Sequence, residues 1–170
     1  WVDCRLERKK FRFLSPEETL GGAQLLWAVD HRLKKQDKRL PILRKLNSEQ
    51  PAERIDSALD FFARPLNRRQ IARLLSMAES KIHALLQKPE AFQIFQDHII
   101  QTESYEQILS GIQSVLATYH QSQPLGKGLP REQISEAPPA LREFVLSSAL
   151  QGGTLKNQGD LWQLAGHQGN

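Results

Sequence analysis

Leu66-Asn67-Arg68-Arg69-Gln70-Ile71-Ala72-Arg73-Leu74-Leu75-Ser76-Met77-Ala78-Glu79-Ser80-Lys81-Ile82-His83-Ala84-Leu85-Leu86 is the stretch on which the architecture turns. Leu66-Asn67 opens a short helix, and Asn67 suits the N-cap because its side-chain oxygen can take an amide of the first turn. Ile71, Leu74 and Leu75 recur at helical spacing and mark an inward face. Met77-Ala78-Glu79 then turns into a second helix carrying Ile82, Leu85 and Leu86. A short helix, a tight turn and a second helix make helix-turn-helix geometry.

Working outward, Pro51 to Ala63 predicts a preceding helix with Ile55, Leu59 and Phe62 on one face, closed by Pro65. Beyond Pro89, Phe92-Gln93-Ile94-Phe95 and His98-Ile99-Ile100 fit a small hairpin. A hairpin after a helix-turn-helix is the wing of a winged helix. Leu40-Pro41-Ile42-Leu43 supplies a leading helix with its proline in the first turn, so the first module runs over 40–101.

A second copy of this plan follows, alike in pattern rather than in residues. Tyr105, Ile108, Leu109, Ile112, Val115, Leu116 and Tyr119 form the most regular amphipathic series in the chain, broken at Pro124, Gly126 and Gly128. Pro130 to Ile134 predicts a short helix, and Pro139 to Leu150 the helix in the position that reads nucleic acid in such folds, capped by Gly152-Gly153. Thr154-Leu155-Lys156, a turn at Asn157-Gln158-Gly159-Asp160, and Leu161-Trp162-Gln163-Leu164 make the second wing, which gives a module over 102–170. The fold class is therefore mainly α with small β wings, as tandem winged-helix modules.

Ahead of these modules, Phe11-Arg12-Phe13-Leu14 and Ala23 to Val29 read as two short strands separated by Ser15-Pro16 and Gly21-Gly22. Two strands alone are marginal in water, so residues 1–30 read as the end of a larger β-structure whose partners lie upstream. The opening residues show neither an initiator Met nor a signal-peptide pattern, which also points to an upstream start. A basic linker covers 31–39.

The chemistry is sparse. One cysteine, Cys4, forms no internal disulfide and no zinc site alone, in keeping with a reducing, cytoplasmic setting. No two of the five histidines have the zinc-protease spacing, and neither Gly21-Gly22 nor Gly126-Lys127-Gly128 follows the phosphate-loop order. His120 closes a helix, where its cation would suit the dipole. The reading is no enzyme, no cofactor and no metal in this chain, and no stretch is apolar enough to span a membrane.

Binding is the mechanism that the residues offer. Lys and Arg outnumber Asp and Glu by 23 to 19, and the pI is about 9.4. The excess clusters at Arg32, Lys34, Lys35, Lys38 and Arg39, with Arg44 and Lys45 following, and again at the opening Arg5, Arg8, Lys9, Lys10 and Arg12. Arg68, Arg69, Arg73 and Lys81 are the outward candidates for backbone contact in the first module; Lys127, Arg131, Arg142 and the wing residue Lys156 are those of the second. The alternative for each is ordinary solvated charge. The second reading helix, with Ala140, Leu141, Phe144, Val145, Leu146 and Ala149, is built for packing rather than base readout.

Phe11 to Ala23 resembles the closing strands of an elongation-factor barrel domain. Val115 to Glu132 resembles the second winged-helix module of the bacterial selenocysteine-specific elongation factor, with its aromatic-His helix end and Pro-Leu-X-X-Gly turn. Leu161 to His167 is similar to that module's last wing strand, with Ala165 where proline is common. The resemblance implies an arm between a body that binds GTP, magnesium and selenocysteyl-tRNA and a final module that holds an mRNA hairpin on the ribosome. It implies a GTPase for the whole factor, no catalytic residue in this chain, and at most weak RNA-backbone contact here. A free-standing winged-helix DNA-binding regulator and a protein-interaction winged-helix module are the alternatives.

Overall fold

The structure, a computed structural model, describes residues 3–8, 18–24, 40–46, 48–87 and 90–167. At the start, β1 (Asp3–Arg8) pairs antiparallel with β2 (Glu18–Gln24), the register shifting between Leu6 and Glu7. The strands expected from the sequence lay later. Phe11–Leu14 falls outside the described residues, as does Leu25–Val29, while Ala23 and Gln24 end β2. Asp3–Arg8 alternates too, but Asp3, Arg5 and Glu7 alternate with only two apolar residues, Cys4 and Leu6, too few to stand out.

The helices begin with α1 (Leu40–Lys45) and α2 (Pro51–Phe62). Pro51 sits in the first turn of α2, where its missing N–H costs no hydrogen bond, and Ala63 ends the helix in the left-handed region at φ 46°. Two residues, β3 (Leu66–Asn67), then enter a sheet before α3 (Arg68–Leu75) and α4 (Glu79–Leu85). The hairpin of β4 (Phe92–Phe95) and β5 (His98–Gln101) completes the sheet in the order β3-β5-β4. Ile55, Leu66, Ile71, Ile82 and Ile99 are fully buried together at its centre.

The plan repeats. α5 (Thr102–Ser122) starts on the residue after β5, with no linker between. β6 (Leu129–Pro130), α6 (Arg131–Ile134), α7 (Pro139–Gln151), β7 (Leu155–Gln158) and β8 (Leu161–Leu164) follow, with sheet order β6-β8-β7. Helix, strand, two helices and a hairpin whose last strand pairs with the first is winged-helix topology, present twice. Ile112, Leu116, Ile134, Val145, Leu146 and Leu155 form the second core.

The sequence pattern places Leu66-Asn67 and Pro130 in the helices that follow them. Instead each belongs to a two-residue strand, Leu66 opposite Ile99 and Pro130 opposite Leu161. Two residues carry no periodicity, whereas the helices after them do. The second wing also runs two residues further, through Asn157 and Gln158, and turns at Gly159, φ 64°.

One strand serves both cores. Ile99 of β5 is buried in the first cluster and its neighbour Ile100 in the second, as expected for adjacent residues on opposite faces of a strand.

Candidate nucleic-acid interface

The outward face of α3 and α4 is set by local bonds. Asn67 accepts from the Gln70 amide at 2.9 Å, and Gln70 Oε1 accepts from the Asn67 amide at 2.9 Å, a capping box that fixes the start of α3. The helix ends at Ser76, φ 50°, and Met77 N–H donates to Ala72 O at 2.9 Å. Arg54 of α2 donates to Leu75 O at 3.0 Å, satisfying a carbonyl that the helix end would leave bare. Arg54 was missed in the sequence because nothing local shows that its partner lies 21 residues away.

Of the four cations expected here, two are already engaged. Arg68 Nε donates to Asp97 Oδ1 at 2.8 Å, reaching the turn of the first wing, and its Nη1 lies 3.1 Å from His83 Nδ1 on α4. His83 Nε2 lies 3.2 Å from the Gln87 side-chain amide nitrogen, so the ring also touches the next turn of its own segment. Arg68 thus ties wing, α3 and α4 together. Arg69 approaches Glu79 at 3.7 Å, but both side chains are more than half exposed, so the pair is worth under about 0.5 kcal/mol. Arg73 and Lys81 are exposed and have no acidic partner among the described residues. Arg69 and Arg73 stand one helical turn apart on α3. What this face offers a polyanion is therefore Arg69, Arg73 and Lys81, with Arg68 available only in competition with Asp97.

The second module is arranged differently. Arg131 donates to Glu143 at 3.1 Å and stands 3.8 Å from Glu132. The bond and charge of Glu143 push its guanidinium pKa up, leaving it a structural cation between α6 and α7. Lys127 and Lys156 are exposed and unpaired among the described residues, one on the turn after α5 and the other on β7. Phe144, Val145, Leu146 and Ala149 of α7 are buried, and Arg142 Nη1 is spent on Ser135 O at 3.2 Å.

The wing of the first module covers part of α7. Phe95 meets Phe144 edge to face, with ring centroids 5.9 Å apart at 81°. Around this contact Arg64, Gln96 and His98 face Ala140, Glu143 and Ser147 across a cleft between the modules. Gln101, at the junction, donates to Asp60 of α2 at 2.8 Å. Lys34, Lys35, Lys38 and Arg39 lie outside the described residues.

Among the described residues no three His, Cys, Asp or Glu side chains gather as a metal site, and no helix is long and apolar enough to cross a membrane. His120, expected to favour the dipole of α5 as a cation, turns inward instead. Its ring is buried, both nitrogens lack a partner, and burial together with His167 lowers its pKa.

No family model matches the chain, and no curated protein does. Among solved structures, the chain is similar to the mRNA-binding domain of elongation factor SelB from E. coli in complex with SECIS RNA. The TM-score is 0.46 and the identity 10%, over 69% of this chain and 98% of that one.

Proposed function

We propose that this chain is the arm of a selenocysteine-specific translation elongation factor, a rigid spacer between a tRNA- and GTP-binding body and an mRNA-hairpin-binding module. In this reading, residues 1–30 close a barrel domain, 31–39 are a basic linker, and 40–101 and 102–170 are the two winged-helix modules. GTP, magnesium and the GTPase activity belong to the body of the factor, which works in the cytoplasm with selenocysteyl-tRNA and the ribosome.

The observation that carries the proposal is the seating of the first wing on α7, with α5 starting directly after β5. A helix whose inner face fills a core and whose flank meets Phe95 is ill placed to enter a groove. A direct junction with a shared strand suits a part that transmits position rather than one that searches for sequence. The segment resemblances at 11–23, 115–132 and 161–167 supply the identity of the factor. The exposed cations Arg73 and Lys81, with Arg69 only loosely held by Glu79, leave room for weak backbone contact without base readout.

Titration against a selenocysteine-insertion hairpin, an unrelated RNA hairpin and duplex DNA, at low and near-physiological salt, tests the reading. Equally weak, salt-sensitive binding to all three, or none, is the expected result. Tight preference for duplex DNA favours a regulator, and preference for the insertion hairpin makes this chain the RNA reader rather than the spacer.

A further inference from the structure

We infer that the stacked His120–His167 pair is an acid-released clasp, fastening the end of the second wing to the last turn of α5. The rings lie 3.6 Å apart between centroids and 16° from parallel. His120 is 9% exposed and neither of its nitrogens has a hydrogen-bond partner. His167 follows β8 by three residues and its Nε2 faces Gly126 O at 3.2 Å. The pair therefore joins three pieces: the helix end, the turn after it, and the segment leaving the second wing. The turn is itself close-set, since a Cβ at Gly126 would stand 2.5 Å from the Tyr119 hydroxyl.

Two neutral imidazoles stack without electrostatic cost. Protonating either places a cation against a partly buried ring, and protonating both brings like charges face to face. No carboxylate on these segments offsets that charge. Residues 113–129 and 161–167 contain no Asp or Glu, and the titratable groups there besides the pair are Tyr119 and Lys127. The other helices packed on α5 bring Arg131 and Glu132 from α6, and Arg142 and Glu143 from α7. Glu143 is bound to Arg131, and Arg142 to Ser135 O.

The sign follows from geometry and is supported by the lowered pKa of His120. A base held neutral by the fold contributes stability that is whole above its ordinary value of 6.5 and is lost as pH falls below it. The clasp is thus closed at neutral pH and opens in mild acid, freeing the segment after β8 while both cores stay intact.

Proton NMR of the 170-residue chain from pH 8 to pH 5 tests this. Expected in acid is the loss of ring-to-ring contacts between His120 and His167 and of contacts between His167 and Gly126, with the amide signals of Ile71 and Val145 unchanged. Retention of those contacts at pH 5 overturns the clasp; loss of the Ile71 signals at the same pH assigns the release to global unfolding and overturns it too. His120→Phe keeps an aromatic face at the buried position but removes the group whose charge burial opposes, and it leaves the His167 contact with Gly126 O in place, so its wing end is expected to stay fastened through pH 5. Acid release persisting in that variant overturns the pair as its cause.

Discussion

At Gly128 the backbone has φ 121° and a Cβ would fall 2.3 Å from the carbonyl oxygen of Trp162. The neighbour is backbone of β8, paired through Leu129↔Trp162, so it cannot swing aside. Gly128→Ala must therefore strain the residue and push β6 off β8. The expected loss is about 3 kcal/mol, from strain at a special φ plus steric overlap, read as a shift of the urea midpoint. Asn67 belongs to the same scale: removing its side-chain oxygen leaves the Gln70 amide without its bond. Asn67→Ala should cost about 1 kcal/mol in the same measurement. Both positions were legible in part, Asn67 from its place before a helical period and Gly128 only as a breaker. The demand for glycine comes from a strand 34 residues later, which no local window contains.

Long elements announced themselves and short ones did not. α5 and α7 follow from apolar spacing and punctuating prolines, but β3 and β6 are two residues each and acquire identity only by pairing with β5 and β8. The candidate cations divided on similar grounds. Exposure on α3 and α4 was readable from period, yet the partners of Arg68 and Arg131 lie 29 and 12 residues away and became visible only when the wing and α7 closed on them. The contact of wing on helix makes its own prediction. Phe95 and Phe144 meet at 5.9 Å and 81°, a favourable edge-to-face geometry. A double-mutant cycle with Phe95→Ala and Phe144→Ala should return a coupling of about 1 kcal/mol beyond the separate losses. Additive losses would mean that the two rings are neighbours without being partners.

For the whole molecule, the question is whether two winged-helix modules behave as one body. Each has its own buried cluster, and two separate cores would ordinarily melt in two steps when their stabilities differ. β5 removes that independence. Ile99, fully buried, and Ile100, 2% exposed, are consecutive residues of one strand, the first in one core and the second in the other. Unfolding the first module takes away the strand that carries Ile100, and unfolding the second strips the cover from it. α5 adds to this, because it starts at Thr102 with no slack to let either module turn away. Residues 40–167 should therefore unfold in a single urea transition, seen alike by Trp162 fluorescence and by backbone circular dichroism. Ile99→Ala and Ile100→Ala should each move that one midpoint, at a cost of about 2–5 kcal/mol for a truncated core isoleucine. If Ile100→Ala instead moved only the Trp162 signal, leaving the remaining helical signal to melt where it did before, the junction would be a contact surface. The chain would then be two hinged modules and not one rigid body.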